Sequence, residues 1–92
     1  MSLTNEEKQD LRHTCLAALA LNPRVAFSSA QIKRFCSRRL FPEPSPDDVA
    51  DALQFLSDLG HAEKTPDPYG SELFYQITAE GTLANERWSE NS

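Results

Sequence analysis

The stretch SPDDVADALQFLSDLG, residues 45–60, marks both ends of one helix. Ser45 is an N-cap residue and Pro46 suits the first helical position. Asp47 and Asp48 fill the first turn, where the helix dipole favours carboxylates. Gly60 is the left-handed residue that closes such a helix. The stretch before it, FPEPSP, holds three prolines and cannot be helical. A helix is therefore predicted over 46–59. At about 100° per residue, Val49, Ala52, Leu53, Phe55, Leu56 and Leu59 fill an arc of about 160°, assigned to the core. The opposite arc carries Asp47, Ala50, Asp51, Gln54, Ser57 and Asp58. This helix must be covered on one side, and it presents carboxylates on the other.

The rest of the chain arranges itself around that element. Thr4 and Glu7 have capping-box spacing and open a first helix that ends before Pro23, with Leu11, Cys15, Ala18 and Leu19 near one face. The β-prone RVAF, residues 24–27, is long enough to pair at the edge of a hairpin. Ser28 and Gln31 form a second capping box, opening a helix over 29–40 with Ile32, Phe35, Cys36 and Leu40 as its apolar stripe. After Gly60 the period changes from 3.6 to 2. HAEKT and ELFYQI read as strands joined by the turn PDPYGS. Leu73, Tyr75 and Ile77 alternate onto one face, and Phe74 onto the other. Thr78 caps a last helix, which Gly81 weakens. The predicted fold class is mainly α with a small β-hairpin (α+β), in the order α-β-α-α-β-β-α. The chain reads as one domain, 1–92, with 1–3 and 89–92 frayed.

VADALQFLSDLGHAEK and ELFYQITAEG together resemble the second half of bacterial winged helix-turn-helix regulators of the MarR and PadR types. Leu53, Leu56, Leu59, Gly60, Tyr75, Ile77, Thr78 and Gly81 carry the resemblance, which spans residues 49–81 by motif. It implies a winged helix, DNA binding and gene regulation, with helix 46–59 reading the groove and the hairpin as the wing.

Charge points elsewhere. Residues 1–39 hold seven bases and three acids, a balance of +4; residues 40–92 hold two bases and eleven acids, a balance of −9, which together make the net −5. Nucleic-acid affinity comes largely from phosphate neutralisation by Lys and Arg. Helix 46–59 has neither, and the wing sequence KTPDPYGSE offers one lysine against Asp67 and Glu72. The favoured expectation is thus a non-enzymatic protein-interaction module whose contact face comprises Asp47, Asp51, Gln54, Asp58, Tyr69 and Phe74. The alternative is a DNA-binding regulator that contacts phosphates through helix 29–40, using Arg24, Lys33, Arg34, Arg38 and Arg39. The expected partner is another protein or a second copy, as a homodimer or head to tail; DNA is an atypical partner.

Catalytic and metal chemistry find little footing. Cys15 and Cys36 both fall on apolar faces and read as buried free thiols. With His13 and His61 they do not reproduce zinc spacing. A Cys36–His61 nucleophile pair has no supporting motif, and three glycines make no phosphate loop. No cofactor, metal or small-molecule ligand is expected. Without an apolar run of about 20 residues, no membrane span is expected either, and the polar N-terminus points to the cytoplasm.

Overall fold

The computed structural model describes residues 3–67, 69, 70 and 72–91. Its elements are α1 (Asn5–Ala20), β1 (Phe27–Ser28), α2 (Ser29–Ser37), α3 (Pro46–Asp58), β2 (Ala62–Pro66), β3 (Leu73–Ile77) and α4 (Ala79–Asn91). The predicted order stands. Residues 89–91 continue α4, and Leu3 packs against the core.

Each of the first three helices begins with a reciprocal capping box. The pairs are Thr4 with Glu7, Ser28 with Gln31, and Ser45 with Asp48. In the third, the Ser45 N–H donates to the Asp48 carboxylate and the Asp48 N–H donates to Ser45 Oγ, both at 3.1 Å. Two orphan donors of the first turn are satisfied this way. At the other end of α3, Gly60 has φ +81°, the His61 N–H reaches the Leu56 carbonyl at 2.9 Å, and the Gly60 N–H reaches that of Ser57 at 3.1 Å. That pair of bonds is a Schellman motif.

Helix α2 is shorter than predicted, since it ends at Ser37 rather than residue 40. Glu43 folds back onto it. Lys33 Nζ and Ser37 Oγ each lie 2.9 Å from Glu43 Oε1, which turns the chain toward α3. Arg39 and Leu40 instead donate their N–H groups to the Cys36 carbonyl.

The strands form one antiparallel sheet in the order β1-β3-β2. Of the predicted 24–27 region only Phe27 pairs, opposite Tyr75, and the strand is completed by Ser28 opposite Phe74. In the hairpin, Ala62 faces Ile77 and Lys64 faces Tyr75. Tyr75 and Ile77 are buried as predicted. Leu73, expected beside them, is exposed, because the hairpin outruns the helices where it faces Pro66. Pro68 and Ser71 of the wing turn lie outside the described residues.

The core gathers Leu11, Cys15, Leu16 and Leu19 of α1 with Ile32 and Cys36 of α2 and Val49, Leu53 and Leu56 of α3. The assignment of Phe55 and Leu59 to it is corrected: they are 38% and 49% exposed. They edge the arc, where no element covers them completely. The Arg12 guanidinium of α1 sits 3.6 Å from the Phe55 ring centroid and partly shields it.

Thr78 joins the sheet to α4. Its hydroxyl donates to the Gly60 carbonyl at 2.6 Å and accepts from the Gly81 N–H at 3.0 Å. Its own N–H reaches the His61 carbonyl. A Cβ on Gly81 would collide with that same carbonyl oxygen and lie 2.8 Å from Ile77 Cγ1. This glycine, read from sequence as a weak point in the helix, is what lets α4 approach β2.

Candidate nucleic-acid interface

The two helices α2 and α3, with the turn between them and the β2–β3 hairpin, bring together most of the charged residues singled out above. On α3, three of the four aspartates have internal neighbours. Asp48 completes the N-terminal cap. Asp58 accepts from Gln54 Nε2 at 2.8 Å, while Gln54 Oε1 accepts from Lys64 Nζ at 2.9 Å. The Lys64 ammonium on β2 is thus relayed through one amide to the Asp58 carboxylate. Asp51 lines a cleft of about 260 Å³ together with Lys8 and Arg12 of α1. Asp47 has no such neighbour and is exposed. Among the described residues none of these aspartates forms an ion pair; the cations beside them, Lys8 and Arg12 of α1 and Lys64 of β2, come from elements that a helical wheel of α3 does not contain.

Gln54 is held from both ends, yet its amide keeps one further N–H and one further lone pair. It could therefore read a base edge without losing its position. The wing contributes less. Tyr69 is 97% exposed at its tip, where its N–H donates to Asp67 Oδ1 at 2.9 Å. Phe74 is half-buried on the central strand, between Ser28 and Thr65.

The basic cluster divides. Arg34 and Arg38 are exposed on and just after α2, and Arg24 is exposed in the loop before β1. Among the described residues none of these three pairs with a carboxylate. Lys33 is tied to Glu43 at 2.9 Å, and this ammonium, with the Ser37 hydroxyl, holds the Glu43 carboxyl below its usual range. The Arg39 guanidinium lies 3.9 Å from the Phe35 ring centroid, which keeps it against the protein. Within this cluster, and among the described residues, the free cations are therefore Arg24, Arg34 and Arg38.

Sequence reasoning missed a further cluster on the α1–α4 face. The His13 and Trp88 rings stack with centroids 3.3 Å apart. Burial, partly opposed by the Asp10 charge, holds the His13 imidazole below its usual pKa. These residues are 75 positions apart, and no local pattern pairs them. Cys15 and Cys36 are buried and free as expected, with each other as partners rather than His61. No group of three or more metal-ligating side chains occurs among the described residues.

Comparison with solved structures places this geometry. A transcriptional regulator from Clostridium thermocellum matches with a TM-score of 0.76 at 13% identity, over 98% of this chain and 87% of that one. A MarR variant from Escherichia coli, complexed with operator DNA, matches with a TM-score of 0.67 at 16% identity, over 94% of this chain and 60% of that one. The fold is a winged helix of the MarR type. ZitR from Lactococcus lactis shares the winged helix at a TM-score of 0.58 and 17% identity, over 90% of this chain and 59% of its own. The winged helix here thus spans about three fifths of the MarR and ZitR chains. No protein-family model and no curated protein matches the sequence. Among the described residues, no helix is long and apolar enough to cross a membrane.

Proposed function

We propose that this chain is a DNA-binding transcriptional regulator of the winged-helix type, anchored on phosphates by Arg24, Arg34 and Arg38, with Gln54 as its base-edge contact. The supporting observation is the division of charge. Arg24, Arg34 and Arg38, before, on and just after the first helix of the helix-turn-helix, are free, whereas Asp48 and Asp58 of the second accept hydrogen bonds within the fold. In a helix-turn-helix the second helix enters the major groove while the first crosses the backbone. Phosphate contacts from α2 would therefore set the register, and Gln54 on α3 would face the groove. A likeness to a MarR variant that is complexed with operator DNA supports the same reading. It favours DNA over the protein-interaction module expected from sequence, which rested on the acidic face of α3 and on the wing.

Three phosphate contacts per chain give a salt slope of about −2.7, so affinity falls about 40-fold between 50 and 200 mM salt. Titration of mixed-sequence duplex DNA by fluorescence anisotropy at those salt concentrations tests it. No binding at the lower salt would refute the proposal and return the Asp47, Asp51 and Tyr69 face to consideration as a protein contact. Self-association belongs to the same proposal, supported by the opposite charge of the two chain halves, and light scattering on the eluting protein measures it.

A further inference from the structure

Cys15 on α1 and Cys36 on α2 are both fully buried, and their sulfurs lie 3.7 Å apart. Twenty-one positions separate them in sequence, so the contact belongs to the packing of the two helices. We propose that these two thiols are a redox-active pair that a hydroperoxide oxidises to an intrachain disulfide. The proposal is independent of DNA binding.

The two sulfurs are not equivalent. Either thiol can donate in this contact; the contact, opposed by burial and aided by the nearby Arg39 charge, lowers the Cys36 pKa. Cys15 is shifted the other way, by its bond to Cys36 and by burial, and stays protonated. Nucleophilic attack requires the thiolate, and the Arg39 charge on the Cys36 side makes Cys36 the attacking group and Cys15 the resolving one. Arg39 is held in place by its stacking on Phe35. A cleft of about 240 Å³ opens among α1, α2 and α4, lined by Thr14 and Ala17 from around Cys15, by Phe35 and Arg39 from around Cys36, and by Trp88 of α4. Hydrogen peroxide is about the size of two waters, and that cleft is large enough to hold it beside sequence neighbours of both cysteines.

The chemistry balances. Cys36 thiolate attacks one peroxide oxygen; the O–O bond breaks, and the departing hydroxide leaves as water with the proton that Cys36 gave up. Cys36 is now a sulfenic acid. Cys15 sulfur then attacks Cys36 sulfur, the S–O bond breaks, and the hydroxyl departs with the Cys15 proton as a second water. Two thiols are oxidised by two electrons, and one peroxide is reduced to two waters. A disulfide needs sulfurs at about 2.05 Å, so the pair must close by about 1.6 Å. Helix α2 has nine residues, and its local opening provides both the access and this movement.

The test uses the whole reduced chain, treated with excess hydrogen peroxide at neutral pH, unfolded, alkylated and weighed intact. The expected product is a monomer about 2 Da lighter than the reduced chain that takes up no alkylating agent, yields a cross-linked Cys15–Cys36 peptide on digestion, and is restored by dithiothreitol. A product that takes up two alkyl groups, gains oxygen in steps of about 16 Da, or links two chains overturns the proposal. Arg39→Gln tests its positioning role: the pH profile of the oxidation rate moves to higher pH if Arg39 favours the thiolate, and an unmoved profile removes Arg39 from the site. Cys15→Ser, if folded by circular dichroism, must stop at the sulfenic or a higher acid.

Discussion

Lys64 on β2 donates to the Gln54 side chain of α3 at 2.9 Å, bridging the wing to the helix that lies in a DNA groove in related architectures. Through Gln54 the same lysine answers Asp58. The remaining carboxylates of that face, Asp47 and Asp51, then carry its repulsion toward phosphate. Replacing Asp47 with Asn should raise affinity for duplex DNA about two- to fivefold at 50 mM salt, with the gain shrinking as salt screens it. Anisotropy titrations of both proteins measure this, and an unchanged or weakened affinity would mean that α3 does not face the DNA.

Arg34 and Arg38 should act in the opposite sense. The double substitution Arg34→Glu and Arg38→Glu should reduce the salt slope by about two and lower affinity at least about tenfold. Lys33→Glu is the contrasting case. Lys33 is already engaged by Glu43, so its replacement should cost stability at the end of α2 more than it costs DNA affinity. Parallel melts and titrations separate the two effects.

His13 makes stability depend on pH. Its folded-state pKa lies below the usual value of about 6.5, so the folded chain binds fewer protons than the unfolded one in that window. The contribution is fully present above the unfolded pKa and is lost as pH falls from there toward the folded one. Thermal midpoints should drop between about pH 7.5 and 5. His13→Phe keeps a ring against Trp88 and removes the proton, so it should flatten that part of the profile. An identical profile in the variant would exclude His13 as the source.

Gly81→Ala should be among the most damaging single-methyl changes in the chain. The new Cβ meets the His61 carbonyl oxygen and Ile77, and neither is a flexible side-chain end. The expected cost is about 3 kcal/mol, enough to lower the melting midpoint by more than about 10 °C. Gly60→Ala meets only an ordinary contact with Glu80 and carries the left-handed backbone cost of about 1–2 kcal/mol. Calorimetry on both variants should rank them in that order.

Element boundaries were legible where local chemistry sets them. The Ser45 cap, Pro46 and Gly60 stand where the sequence puts them, because capping needs only residues within one turn. The end of α2 was not legible, and the contact that Glu43 makes with Lys33 comes from ten residues beyond it. Phe55 and Leu59 were placed in the core by periodicity, but an angular arc does not say how far a neighbouring helix extends over its edges.

The charges illustrate the same divide. Sequence alone determined the kind of protein: four helices, a winged hairpin, an apolar arc on α3 and a chain with oppositely charged halves. These follow from periodicity, caps and composition, which act over a few residues at a time. Tertiary structure alone decided which charges stay free. Lys64 reaches Gln54 from another element, Arg12 covers Phe55 from α1, Glu43 holds Lys33, and Cys15 meets Cys36 between helices. A side chain's partner depends on distances across the fold, and those distances exist only once the helices have packed.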